Sequence, residues 1–130
     1  MTSWAEPFIG KPYADGGRGP DAFDCWGLVR EVLARTTGVH LPYYEYGTNR
    51  HSRNTLIDSL RPGFSKIDGP EEFALVLAHT GNRRPHIGIC IDAHTMLHAA
   101  RGIGACLARL ESPQWRNAIS GFYLPTHRPA

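Results

Sequence analysis

The clearest periodic stretch in the chain is CWGLVREVLART, where Cys25, Leu28, Val29, Val32 and Leu33 fall on one face of a 3.6-residue repeat. That spacing predicts a helix beginning at Cys25, and Gly38 supplies its stop. Asp21 and Asp24 precede it, where a carboxylate can cap the first backbone N–H groups and complement the positive end of the helix dipole. A second, shorter helix is expected over 52–60, with Leu56, Ile57 and Leu60 inward and Pro62-Gly63 ending it. After Pro70 the pattern changes to short apolar runs split by turn residues. The runs at 74–79, 86–92, 95–99, 105–110 and 121–125 read as strands. Helices first and strands afterwards predict an α+β domain, with helix on one side of an antiparallel sheet. The residues before Cys25 are dense in Gly and Pro and predict an ordered loop.

A chain of 130 residues suits one domain, taken here as 1–130. With 42% hydrophobic residues and no apolar run near the roughly 18–20 that a membrane span needs, no such span is expected. Fourteen basic against 12 acidic residues, spread along the chain, argue against a nucleic-acid surface. The start, MTSWAEPFIGKPY, lacks a basic stretch leading into an apolar core, so no signal peptide is expected. Cys25, Cys90 and Cys106 are odd in number and form no CxxC pair, which suggests neither a disulfide framework nor a zinc site. No metal or other cofactor is called for.

Cys25 is therefore interesting for its position. At the first turn of a helix a thiolate is stabilised by backbone N–H groups and the dipole, which makes a nucleophile; the same position also suits a small buried hydrophobe. A nucleophile needs a base, and HIGICID offers one. Its alternation puts Ile87, Ile89 and Ile91 on one face and His86, Gly88 and Cys90 on the other, where Gly88 leaves room for a helix to approach. If DAHT is a hairpin turn, His98, twelve positions after His86, comes to lie beside it as the third member, one imidazole orienting the other. His40, His51, His79, His94 and His127 fall in loops, turns or strand ends and read as solvated.

These segments resemble a known family. GKPYADGGRGPDAFDCWGLVREVL is similar to the nucleophile motif of NlpC-type papain-like cysteine peptidases, and HIGICIDAHTMLHA to their histidine motif, in the same order Cys, His, His. The resemblance implies a papain-like fold whose N-terminal catalytic helix packs on the sheet, with Cys25 as nucleophile, His86 as base and His98 as third member. It also implies that Tyr13 touches substrate or the oxyanion, and that Asp24 pairs with the free amine of a stem peptide. The chain departs from the family pattern at Trp26, Cys90 and Asp92; an indole at Trp26, beside the nucleophile, is expected to border and narrow the cleft. DCWGLVREVL followed by GVHLPYYEY is most like the phage tail-tip and tail-assembly members. The implied function is a peptidoglycan hydrolase, a D,L-endopeptidase cutting stem-peptide amide bonds. Its implied partners are the stem peptide and other phage tail proteins, and its implied location is a virion tail or tail-like particle. A structural tail-tip subunit of the same fold, or a thiol acyltransferase or amidase on the same scaffold, are the alternatives.

Overall fold

The computed structural model describes residues 3–41, 63–80 and 84–126; the helix expected over 52–60 lies outside them. Helix α1 spans Cys25–Thr37. Asp24 caps it, its Oδ1 accepting the Gly27 N–H at 2.7 Å, and Gly38 closes it in the left-handed region at φ 76. Leu28, Val29, Val32 and Leu33 are fully buried, as the periodicity requires. The incoming loop is tied to the helix start by the Gly17 carbonyl, which accepts the Asp24 N–H at 3.0 Å. A Cβ on Gly27 would collide with that same carbonyl oxygen, so this second glycine lets loop and helix meet.

Six strands follow: β1 (Phe64–Ile67), β2 (Leu75–Thr80), β3 (Arg84–Cys90), β4 (Thr95–Ala100), β5 (Gly104–Arg109) and β6 (Ile119–Pro125). They form one antiparallel sheet in the order β1-β6-β2-β3-β4-β5. The architecture is the expected α+β one. β1 was not expected, because four residues carry too little alternation to register; it exists because β6 offers a partner, from Phe64↔Pro125 to Ile67↔Phe122. β3 starts and ends two residues earlier than the run 86–92 suggests. Asp92 belongs instead to the turn, its Oδ1 accepting from His94 N–H at 2.8 Å and Thr95 N–H at 2.9 Å.

Both faces of the sheet are covered. Leu75, Ile87, Ile89, Leu97, Ala99 and Ala105 pack against α1 and the N-terminal residues Ala5, Phe8 and Phe23. Val76, Ala78, Cys90 and Met96 face the other way, onto Leu110 and Trp115. This corrects one expectation: α1 lies on the isoleucine face of β3, which has the larger apolar area to bury, and not on the Gly88 face. Gly88 makes room for β4 instead. A Cβ there would stand 3.1 Å from the Leu97 carbonyl oxygen and 3.2 Å from His98 Cβ.

Candidate active site

Cys25 opens α1 and is 8% exposed. Its surroundings are set by Asp24, both of whose carboxylate oxygens are engaged. Oδ1 holds the Gly27 N–H and Oδ2 accepts from Arg18 Nη1 at 2.8 Å. At 2% exposure the carboxylate offers no surface to an incoming ammonium. Asp24 is thus a helix cap and half of a buried ion pair, and an amine-anchoring role for it would require an ammonium to reach a carboxylate already held on both oxygens. The expectation that Trp26 borders the cleft is corrected. Its indole is 0% exposed within the helix–sheet core and does not border a cleft, because burial is where so large an apolar group stabilises most.

Tyr13 lies in the loop that leads into α1, paired with Phe23. Its hydroxyl donates to Asp15 Oδ1 at 3.1 Å, and the Arg101 guanidinium sits 5.4 Å over its ring while bonding Asp15 at 2.8 Å. Burial, the Asp15 hydrogen bond and the nearby negative charge of a Cys25 thiolate push the phenol up to about 12. These contacts fix which end of the sheet Cys25 faces. Tyr13 is bridged to Phe23, two residues before Cys25, and touches Arg101, which follows the last residue of β4. The β3–β4 register, Ile89↔Leu97, continued outward sets His86 across from Ala100 at that same end. The recorded ladder stops at Ile89↔Leu97, so the two strands are not held together by it at the level of His86.

The hairpin brings the two histidines together. His86 Nε2 lies 3.0 Å from His98 Nδ1, with the rings 5.1 Å apart at 88°. Gly88 falls opposite His98 in the continued register, and the absent side chain is what lets the His98 ring reach back to His86. Trp115 closes over both, stacked on His86 at 5.5 Å and edge-on to His98 at 5.0 Å. Burial pushes His98 down to about 4, so near neutral pH it is an uncharged imidazole. On its far side, His98 Nε2 faces Cys106 Sγ at 3.6 Å.

Trp115 and Cys106 were not anticipated. Cys106 could have been read: if RGIG is a hairpin tip, ACLARL folds back on TMLHA and sets Cys106 across from His98, as the register His98↔Cys106 shows. Trp115 sits in a turn segment with no periodicity to reveal it. Of the histidines read as solvated, His40 and His94 are exposed, whereas His79 is half-buried and bonds Ser120 Oγ at 2.6 Å; His51 and His127 lie outside the described residues. Among the described residues no group of three or more His, Cys, Asp or Glu is arranged to hold a metal ion, and no helix is long and apolar enough to cross a membrane.

Residues 10–123 match the NlpC/P60 family. Among curated proteins, the chain is 26% identical over 116 residues to the murein DD-endopeptidase MepS/murein LD-carboxypeptidase of Escherichia coli, across 89% of this chain and 56% of that protein. It is 30% identical over 103 residues to the tail tip assembly protein K of Escherichia phage N15, across 74% of this chain and 40% of that one. The chain therefore spans less than two thirds of either relative. Its fold resembles an NLP/P60 family lipoprotein-like protein of Staphylococcus aureus, with a TM-score of 0.69 at 24% identity over 95% of this chain and 39% of that one.

Proposed function

The chain belongs to the NlpC/P60 family, and from that premise we propose that it hydrolyses an amide bond in peptidoglycan stem peptides, with Cys25 as nucleophile, His86 as general base and His98 orienting His86. One observation carries the reading. His86 Nε2 is committed to His98 Nδ1 at 3.0 Å, at the end of the sheet that Cys25 faces, which makes Nδ1 of His86 the atom to receive the thiol proton.

In the proposed cycle the Cys25 thiolate attacks the carbonyl carbon, and backbone N–H groups at the start of α1, including that of Cys25, hold the oxyanion. The His86 imidazolium protonates the departing amine as the C–N bond breaks. Water, deprotonated by His86, then opens the thioester and restores the thiol. His98, uncharged, helps through its hydrogen bond and not through a charge. Tyr13, protonated at working pH, can donate to the substrate by turning its phenolic hydrogen away from Asp15 Oδ1. The bond cut is taken to be that between γ-D-glutamate and the diamino acid, the D,L-endopeptidase type.

Likeness to a tail tip assembly protein supports a place in a phage tail or tail-like particle, with other tail proteins as partners and the cell wall as the site of action. The same likeness supports the rival reading, a structural tail-tip subunit. Purified protein incubated with muropeptides and with intact sacculi separates the two. Mass spectrometry is expected to find fragments that together have gained one water per cut, absent with Cys25→Ala. A folded protein that cuts neither substrate ends the hydrolase reading.

A further inference from the structure

We propose that Cys106 is a positioning residue whose sulfur accepts the Nε2–H of His98, fixing the tautomer in which His98 Nδ1 offers its lone pair to His86. The inference rests on the roles proposed above for His86 and His98, and it is read at a different atom.

His98 is 5% exposed, and each of its ring nitrogens faces a protein group: Nδ1 the Nε2 of His86 at 3.0 Å, Nε2 the Sγ of Cys106 at 3.6 Å. Trp115 lies edge-on against the ring and hinders its turning over. A neutral imidazole carries one proton and must place it on one of these two contacts. With the proton on Nδ1, His98 donates to His86 Nε2, and a neutral His86 must then keep its own proton on Nδ1. That is the atom needed to receive the proton of Cys25. An imidazolium at His86 would moreover set two N–H groups against each other. With the proton on Nε2 every contact is complementary, from Cys25 through His86 and His98 to the Cys106 sulfur.

Burial keeps Cys106 a thiol, whose sulfur lone pairs, 3.6 Å from His98 Nε2, can accept that N–H. Its S–H is a weak donor, so it competes poorly to drive the opposite arrangement. β-Pairing delivers the sulfur to this place, since Cys106 is the residue opposite His98 in the β4–β5 ladder. The donor–acceptor logic is that of any catalytic histidine whose tautomer is set by the hydrogen bond its other nitrogen makes.

The test is long-range proton–nitrogen NMR of the His98 ring near neutral pH in substrate-free wild type, Cys106→Ser and Cys106→Val, with kcat and KM measured on a muropeptide. Serine keeps an acceptor, while valine fills the space without one. Wild type and Cys106→Ser are expected to carry the proton on Nε2. In Cys106→Val the tautomer ratio should move roughly fivefold toward Nδ1–H, the effect of one modest hydrogen bond, and kcat should fall while KM holds. Wild type with the proton on Nδ1, or Cys106→Val with an unchanged ratio, overturns the proposal. A merely structural Cys106 would lower the melting temperature of Cys106→Val without moving the tautomer. Should that variant not fold, the wild-type spectrum still decides. A wild type that hydrolyses nothing yet shows Nε2–H would defeat the proposed function and leave this inference standing.

Discussion

His86 Nε2 and His98 Nδ1 stand 3.0 Å apart on neighbouring strands, their rings almost perpendicular, in a space that Gly88 leaves open and Trp115 covers. The contact is diagonal across the register, so it depends on the residue between the two being without a side chain. Its other determinant is burial, which holds the His98 imidazole uncharged near neutral pH.

Gly88→Ala puts a methyl group 3.2 Å from His98 Cβ and 3.1 Å from Met96 Sδ. Such overpacking costs about 1–3 kcal/mol. Because it displaces the orienting ring, kcat on muropeptides should fall by about tenfold or more, as small misplacements in catalytic groups do. Gly69→Ala, where a Cβ meets nothing within 4 Å, is the control. Equal activity of the two variants would show that the His86–His98 geometry does not matter to turnover.

Stability should depend on pH through His98. Its folded value, about 4, lies below the ordinary 6.5, so between these values the unfolded chain binds the proton and the folded one does not. Stability is fully present above about 6.5 and is lost as pH falls toward 4, by at most about 3 kcal/mol. Urea unfolding at both ends of that window checks it, and His98→Asn should flatten the dependence. A wild type as stable at the acid end as at neutral pH would contradict the burial of a neutral imidazole.

Asp24→Ala removes a helix cap and strips Arg18 of its buried carboxylate partner. A loss of about 3 kcal/mol is expected, with Asp24→Asn milder because an amide oxygen still caps. Since the carboxylate is enclosed, muropeptides with a free and with an acetylated amino terminus should show similar kcat/KM, in wild type and in Asp24→Asn alike. A strong free-amine preference that vanishes in Asp24→Asn would restore the anchoring role.

The three thiols should react with iodoacetamide near neutral pH in the order Cys25, Cys106, Cys90. Cys106 is the more exposed of the first two, but burial holds it as a thiol; Cys90 is wholly buried and pushed up to about 12. Thiolate fraction decides the rate, and the start of a helix favours the thiolate. Peptide mapping after brief labelling reads the order. Cys106 leading Cys25 would argue against an activated nucleophile.

Helix α1, its Asp24 cap and Gly38 stop, the strand runs after Pro70 and the His86–His98 hairpin were all legible in the sequence. Each rests on local periodicity or turn chemistry within a dozen residues. The face that α1 would cover was not legible. Both faces of β3 carry a regular alternation, and only the summed apolar area across β2, β4 and β5 selects the isoleucine face.

By itself, then, the chain determined which residues could carry the chemistry and in what local setting. What only the tertiary structure decided was their surroundings. Arg18 reaches Asp24 through the folded glycine-rich loop and encloses its carboxylate in an ion pair, Trp26 turns into the core, and Trp115 arrives from a patternless turn to cover both imidazoles. Such contacts join segments whose separation in sequence carries no period, so they follow from the packing of the whole domain and from no local rule.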